Sequence, residues 1–190
     1  MKSKIFMLII GFLLLFTVTA MATTYTETGD AGQTMSTAQQ ILGSGSLDTI
    51  YGSLAGDAWD SPDADMYLIR LAGGAFTADT LGSTVFDPML HLYDTSGTRV
   101  LFNDDHYSLQ AYITSSSLPA DDYYLAISWF ATGYNFTQAS DWTPASYAGE
   151  TPYQINLQGA SFVSVPEPTT FILFGAGLAG VGFLRRRMRK

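Results

Sequence analysis

The chain has 190 residues, a net charge of −8 and no cysteine. This length indicates one domain, and the lack of cysteine excludes disulfides, thiolate metal sites, a cysteine nucleophile and a lipidated N-terminal cysteine. Residues 23–164 hold 16 acidic residues against two basic ones, Arg70 and Arg99, and so carry −14. That charge disfavours nucleic acid and anionic lipid as partners and favours divalent cations, although dispersed carboxylates also keep exported proteins soluble.

The first 22 residues have the pattern of a secretory signal peptide. Lys2 and Lys4 precede an apolar run over 5–18, and Ala20 and Ala22 supply the small residues that signal peptidase accepts. We expect cleavage after Ala22 and export through the general secretion machinery. An uncleaved anchor is the alternative, but the run is shorter than the roughly 20 apolar residues that span a bilayer.

Residues 23–164 form the predicted body, and their pattern is typical of an all-β fold. Short runs of β-branched and aromatic residues alternate with Gly, Asp, Ser and Pro. Of the neighbours Tyr123 and Tyr124, one should lie in the core and the other be partly exposed, while Asp87 before Pro88 should begin a strand in an extended conformation. Eight strands are predicted, which suggests a sandwich: 47–51, 65–71, 76–79, 89–93, 99–102, 111–114, 123–129 and 153–157.

Three stretches of the body carry a resemblance to a known domain family. They are GDAWDSPDADMY over 56–67, FDPMLHLYDTSG over 86–97 with NDD at 103–105, and SLPADDYYLAI over 117–127. In this order they resemble the bacterial pre-peptidase C-terminal domain, over about residues 40–160. The resemblance implies a jelly-roll-like β-sandwich that serves exported proteins as an accessory or binding module rather than as a catalytic unit.

Six aspartates of the body are candidate calcium ligands. Four fall within nine residues, in a loop that leads into a strand, and two follow the end of another strand. Carboxylates and loop carbonyls can supply the six to eight oxygen atoms that Ca²⁺ takes, although the spacing is not that of an EF-hand. For the second group an Asx turn is the structural alternative. The candidates are Asp57, Asp60, Asp63, Asp65, Asp104 and Asp105.

An aromatic segment over 129–147 is the candidate sugar-binding surface. Six aromatic rings lie there among Asn, Gln, Ser and Thr. Flat rings can stack on pyranose faces while amides bind hydroxyl groups, which predicts contact with exopolysaccharide. The alternative is that these large rings are buried and close one end of the sandwich. The candidate sugar-binding residues are Trp129, Tyr134, Trp142 and Tyr147.

No catalytic frame is found in the chain. The G-x-S-x-G, H-E-x-x-H and S-x-x-K patterns are missing, and we predict no catalytic residues and no enzyme activity. The two histidines should be exposed, His91 on the strand face opposite Leu90 and Leu92, and His106 in a loop. The remaining function classes are a binding protein of the surface or matrix, a purely structural envelope component, and a carboxylate-dependent hydrolase.

An apolar stretch over 169–184 precedes a basic tail. As a helix the stretch would be about 24 Å long, short for a hydrocarbon core of about 30 Å but able to span it if the bilayer thins. Its sequence GAGLAG over 175–180 matches the dinucleotide-binding fingerprint, but no acidic residue follows, so this match is incidental. The tail residues should stay in the cytoplasm: Arg185, Arg186, Arg187, Arg189 and Lys190.

The segment 165–190 as a whole resembles a sorting signal. The motif of Val165, Pro166, Glu167 and Pro168, the short apolar stretch and the basic tail are similar to the PEP-CTERM signal of Gram-negative bacteria that secrete exopolysaccharide. The resemblance implies a transient inner-membrane anchor, cleavage near the motif by an exosortase, a membrane-embedded cysteine transpeptidase, and a body that reaches the cell surface or the medium. A plain single-span anchor is the alternative.

Overall fold

The computed structural model describes residues 24–56, 63–85, 87–106, 108–130, 136–142 and 150–164. In these ranges the regular secondary structure is almost entirely β-strand, which confirms the predicted all-β class. One 3₁₀ turn, Ala139–Asp141, lies between β10 and β11. The strands are β1 (Thr24–Thr26), β2 (Gln39–Gln40), β3 (Leu42–Gly43), β4 (Thr49–Leu54), β5 (Ala64–Leu71), β6 (Gly74–Asp79), β7 (Pro88–Tyr93), β8 (Arg99–Asn103), β9 (Tyr112–Leu118), β10 (Asp121–Trp129), β11 (Thr151–Gln158), β12 (Ala160–Ser161) and β13 (Val163–Ser164).

Two sheets form the sandwich. Sheet A has the order β1-β4-β11-β6-β9, and sheet B has the order β12-β5-β10-β7-β8 with β2 beside β5. A separate parallel pair joins β3 to β13. All eight predicted strands are present, as β4 to β11. The other five have two or three residues, which is too short to show a strand period in the sequence.

The main core lies between the two sheets. Alternate residues of β4 and β11 point inward from sheet A, and alternate residues of β5, β7 and β10 point inward from sheet B. Tyr123 is buried and its neighbour Tyr124 is partly exposed, which confirms the prediction for this pair. Burial of each large apolar side chain stabilises the fold by about 1.5 to 3 kcal/mol. The largest fully buried side chains of this core are Tyr67, Phe76, Ile41, Leu47, Ile50 and Leu54.

A second, smaller core covers the outer face of sheet B. Met66, Tyr93 and Ala126 pack there beneath Trp142, and Phe136 packs against the same cluster. His91 also lies on this face and is fully buried, so the prediction of an exposed histidine is wrong. The alternation with Leu90 and Leu92 is as expected. What the sequence did not indicate is that residues 136–142 cover the face on which His91 lies.

The outer face of sheet A has a different character. Its outward side chains are partly or fully exposed and, apart from those of Ala75 and Pro152, most carry hydroxyl, amide or carboxylate groups. Pairing aligns them across the sheet, with Tyr51 beside Gln154, and Asn156 beside Asp79. The polar outward residues of the four longer strands include Thr49, Tyr51, Ser53, Gln154, Asn156, Gln158, Thr77, Asp79, Tyr112 and Thr114.

The two ends of the sandwich differ chemically. At one end Ala160 pairs with Leu71, and the chain continues into β13; we call this the sorting end. At the other end Ser128 pairs with Ala64, and Trp129 pairs with Pro88. This second end holds the carboxylates of the candidate metal sites, and we call it the acidic end.

Asp87 departs from its predicted conformation. Its φ is +60°, in the left-handed region, so the extended start expected from the following proline is wrong. In this conformation its carbonyl accepts a hydrogen bond from the backbone N–H of Phe130 at 3.0 Å. Asp is one of the few residue types that tolerate this region, and a tertiary contact here outweighs the local preference that Pro88 sets.

Candidate functional site

Four carboxylates meet between the sheets at the acidic end. Glu27 follows β1, Asp30 lies three residues later, and Asp63 and Asp65 lie at the start of β5. Carboxylate oxygens of Glu27, Asp30 and Asp65 lie within 4.8 Å of one another. We call these four residues the inter-sheet group.

Backbone and amide donors hold two members of the inter-sheet group in place. Glu27 accepts the backbone N–H of Ala31 at 2.7 Å and that of Ser53 at 2.8 Å. Asp63 accepts the Nε2–H of Gln33 at 2.9 Å and the backbone N–H of Ala55 at 2.5 Å. These bonds tie the loops of both sheets to one acidic centre.

Asp65 ends a buried chain of hydroxyl groups. The Tyr153 hydroxyl donates to Asp65 Oδ2 at 2.6 Å and lies 2.5 Å from the Tyr67 hydroxyl. Tyr153 is opposite Gly52 in the register of β11 and β4, and a Cβ at Gly52 would overlap Tyr153 Oη and Glu27 Oε2. Position 52 therefore has to be glycine for the ring and the carboxylate to approach each other.

Burial changes the protonation of this group. Desolvation raises the pKa of Glu27 to about 7, and it raises the pKa of Asp65 well above the usual aspartate range. The two arginines of the body act elsewhere: Arg70 pairs with Asp122 at 3.1 Å, and Arg99 stacks over the ring of Phe102. Without a basic side chain beside it, a desolvated carboxylate holds either a proton or a bound cation.

A pocket opens to solvent above the inter-sheet group. Its volume is about 510 Å³, and Tyr51 and Gly52 of sheet A form part of its wall. The side chains that line it include four carboxylates and, among the described residues, no lysine or arginine. These carboxylates belong to Glu27, Asp30, Asp63 and Glu150.

A second group of carboxylates lies at the edge of sheet B. Oxygens of Asp87, Asp104 and Asp105 lie within 4.8 Å of one another, and we call these three residues the edge group. Asp87 Oδ1 and Asp104 Oδ1 are buried and have no hydrogen-bond partner among the described groups. Burial, with the charges of Asp87 and Asp105, raises the pKa of Asp104 to about 6. Two buried oxygens without donors are suited to a cation.

The six predicted calcium ligands fall into separate places. Asp63 and Asp65 belong to the inter-sheet group, whereas Asp104 and Asp105 lie beside Asp87. The other two predicted ligands, at positions 57 and 60, lie outside the described residues. Sequence reasoning did not single out Glu27, Asp30 or Asp87 as ligands. Glu27 and Asp30 belong to no motif, Asp87 was interpreted only as the start of a strand, and only the fold brings these residues to the other carboxylates.

Two of the four predicted sugar-binding residues are described, and both are buried. Trp129 is 4% exposed, and its Nε1–H donates to the carbonyl of Ala55 at 3.1 Å. Trp142 is 3% exposed, and its Nε1–H donates to the Tyr93 hydroxyl at 3.0 Å. Positions 134 and 147 lie outside the described residues. For the two tryptophans the structure has the buried arrangement that the sequence left as the alternative.

The C-terminal segment matches a known sorting signal. Residues 164–187 match the PEP-CTERM protein-sorting motif. This PEP-CTERM segment starts at the last residue of β13, so it follows the folded body without a linker. Within the described residues, no helix is both long and apolar enough to cross a membrane, and the predicted apolar stretch 169–184 lies outside them.

Two solved structures are similar to the chain. One is the pre-peptidase C-terminal domain of a collagenase from Bacillus anthracis, with 14% identity and a TM-score of 0.41, covering 74% of this chain and 99% of that one. The other is PliG of Aeromonas hydrophila, a periplasmic inhibitor of g-type lysozyme, with 15% identity and a TM-score of 0.33, covering 72% and 97%. Comparison with curated proteins gives no significant match.

Proposed function

We propose that this protein is exported, held briefly in the inner membrane by its C-terminal apolar stretch, and processed by an exosortase into a surface or extracellular protein. The observation that carries the proposal is the PEP-CTERM match at residues 164–187, which starts where the folded body ends. The signal-peptide pattern before Ala22 supports export of a body that precedes this segment. In this function the protein is a substrate of the exosortase and has no transpeptidase activity.

Mass spectrometry of the mature protein tests the processing. We expect an N-terminus at Thr23 and a C-terminus within or next to the motif at 165–168, and in a strain without exosortase we expect a chain that still carries Arg185 to Lys190. Substitution of Glu167 and both flanking prolines by alanine should give the same unprocessed chain. A mature wild-type protein that keeps its basic tail would contradict the proposal and favour a plain anchor.

We further propose that the body is a non-catalytic module that binds a neutral polysaccharide through the outer face of sheet A. The two described tryptophans of the aromatic segment are buried, whereas this face presents amides and hydroxyl groups in register, with Tyr51 42% exposed among them. Amides and hydroxyls can replace the water that surrounds sugar hydroxyls, and an exposed ring can stack on a pyranose. The charge of −14 makes an anionic polymer a poor partner.

Binding to the secreted polysaccharide of the producing strain tests this face. We expect Tyr51→Ala and Gln158→Ala each to weaken binding about tenfold, which corresponds to about 1.4 kcal/mol. Val100→Ala is the matched control, because Val100 is exposed on β8 of the other sheet. Affinity should be measured by co-sedimentation at two salt concentrations. Equal affinities of all three variants and the wild type would exclude this face as the binding site.

Calcium is the ion that we propose for the acidic end. Both carboxylate groups offer the oxygen ligands that Ca²⁺ prefers, and the two buried oxygens of the edge group have no hydrogen-bond partner in the described part of the chain. A bound ion would neutralise charge that the fold otherwise accommodates only by protonation, and it would favour the ionised carboxylates of Glu27 and Asp104.

Melting curves test the calcium proposal. Calcium at a hundred times its dissociation constant should stabilise the body by about 2.7 kcal/mol, which raises the melting temperature by several degrees. If the ion lies in the edge group, Asp104→Asn should abolish the calcium-induced rise in melting temperature. If it lies in the inter-sheet group, Asp65→Asn should abolish that rise. Asp48→Asn, near the sorting end, is the control. Identical curves in chelator and in millimolar calcium would refute the proposal.

A further inference from the structure

The last strand of the body leads directly into the sorting motif. Strand β13 pairs in parallel with β3, with Val163 opposite Leu42 and Ser164 opposite Gly43. The next residue, at position 165, is the first of the motif. No spacer therefore separates a paired strand from the residues that the processing enzyme has to reach.

Described contacts that hold this strand come from its pairing with β3, from backbone hydrogen bonds and from one aromatic ring. The backbone N–H of Val163 donates to the carbonyl of Ile41 at 2.8 Å, and that of Phe162 donates to the carbonyl of Gly45 at 3.3 Å. The ring of Phe162 packs against the main core and lies so close to Gly43 that a Cβ there would come within 2.5 Å of its Cδ1. The ring of Phe162 and these two hydrogen bonds therefore anchor the strand together with the backbone pairing of β13 and β3.

The length of the chain sets how far the motif can extend from the body. An extended chain spans at most about 3.6 Å per residue, so a tether of two to four residues reaches at most about 7 to 14 Å, and a tether of five residues at most about 18 Å. A folded domain of about 140 residues has a radius of gyration of about 14 Å, so an enzyme cleft that encloses the motif has to work within about one such radius of the end of the body.

We propose that β13 acts as a releasable strap. Residues 162–164 have to detach from β3 before the exosortase can bind the motif. Release of these three residues lengthens the tether by about 10 Å. The inference rests on the proposed processing and adds to it a step in the body: opening of the β3–β13 pair precedes cleavage and sets its rate.

The contacts around β13 are suited to opening without unfolding of the body. A two-stranded pair of this length is marginal in water, and local openings of such elements need far less free energy than global unfolding. Leu42 is 48% exposed and Ser164 is exposed, so the pair lies at the surface. The next strands inward stay fixed, since β12 pairs with β5, and β11 pairs with β4 and β6.

A disulfide across the pair tests the strap. The chain has no cysteine, so Leu42→Cys together with Val163→Cys creates a single pair, at a strand spacing of about 4.8 Å that is compatible with a disulfide. In the oxidising periplasm of the producing bacterium, we expect pulse-chase of the full chain to show processing at least tenfold slower than in the wild type. The two single-cysteine variants are the controls, and dithiothreitol should restore processing. Wild-type processing of the oxidised double variant, or no recovery on reduction, would overturn the proposal.

A longer tether provides the second, independent test. Insertion of Gly-Ser-Gly-Ser-Gly-Ser between Ser164 and Val165 lengthens the tether between the body and the motif without opening of β13. We therefore expect this variant to be processed faster than the wild type. The same insertion should restore full processing to the disulfide-locked variant. An unchanged or slower rate would overturn the strap, and a slower rate would instead indicate that the body itself docks on the enzyme. Failure of the proposed function would look different, because the wild-type chain would then not be processed at all.

Discussion

The contribution of one buried histidine to the stability of the body is expected to fall as the pH is lowered from 6.5 towards 3. His91 is fully buried, its Nε2 has no hydrogen-bond partner among the described groups, and Tyr93 Oη lies 3.3 Å from its Nδ1. Burial, with a smaller contribution from the charge of Arg99, lowers the pKa of His91 from 6.5 to about 3. The imidazole is therefore neutral in the folded protein and accepts a proton only when the chain unfolds.

The direction of the effect follows from proton binding. Between pH 6.5 and 3 the unfolded chain holds one more proton at this residue than the folded protein does, so stability falls as the pH falls. One pH unit corresponds to about 1.4 kcal/mol, and the full window to roughly 5 kcal/mol. Glu27 and Asp104 act in the opposite sense: their pKa values are raised from 4.5 to about 7 and from 3.8 to about 6, so their contributions to stability grow as the pH falls through those ranges.

Comparison of variants separates the two effects. Urea unfolding of wild type and His91→Leu at pH 7, 6, 5 and 4 should show the wild type losing about 1.4 kcal/mol per pH unit relative to the variant below pH 6.5. The variant removes the titrating ring and leaves an apolar side chain of similar size. His106→Leu, which removes the exposed histidine, is the control. Parallel pH profiles of wild type and His91→Leu would show that His91 does not cause the acid sensitivity.

Trp142→Ala is expected to destabilise the body by about 3 to 5 kcal/mol, because a large buried side chain is replaced by a cavity. The Trp142 ring meets His91 and Phe136 edge-on, at centroid distances of 5.4 and 4.7 Å, and its N–H donates to the Tyr93 hydroxyl. Removal of the ring leaves the outer face of sheet B without its cover, and the Tyr93 hydroxyl loses the Trp142 donor while it keeps its own bond to the carbonyl of Phe136.

The same variant also separates a structural from a sugar-binding role for this tryptophan. We expect a large fall in the urea midpoint of Trp142→Ala, and a smaller one for Trp142→Phe, which keeps a ring but loses the N–H. At a temperature where both remain folded, polysaccharide affinity should equal that of the wild type. Loss of affinity with unchanged stability would mean that the ring binds sugar and does not cover the sheet.

The positions of the strands could be predicted because a strand pattern is local. In β5, β7 and β10, large apolar side chains alternate with other residues and so identify the face that points to the core. Examples from this face are Tyr67, Leu90, Leu92 and Leu125, which are all buried between the sheets. Local pattern does not reveal whether the other face is covered. For that reason His91 was expected to be exposed, although the chain returns over it some 45 residues later, at 136–142.

The candidate metal site was predicted only in part, for the same reason. Asp63 and Asp65 stand out in the sequence because they belong to a dense acidic loop, and both lie at the acidic end. Glu27 is a single acid in a polar stretch, yet it lies beside Asp65 because β1 pairs with β4 and brings position 27 to the mouth of the sandwich. Asp87 joins Asp104 and Asp105 through the antiparallel pairing of β7 and β8.

The sequence by itself determined the all-β class, the eight main strands and the sorting segment at 164–187, since each of these depends on residues that are neighbours along the chain. Only the tertiary structure decided which carboxylates share a site, which sheet face is covered and that the sorting segment follows a paired strand. These features depend on contacts between residues far apart in sequence, and their energies come from burial and charge in the folded protein rather than from local preference.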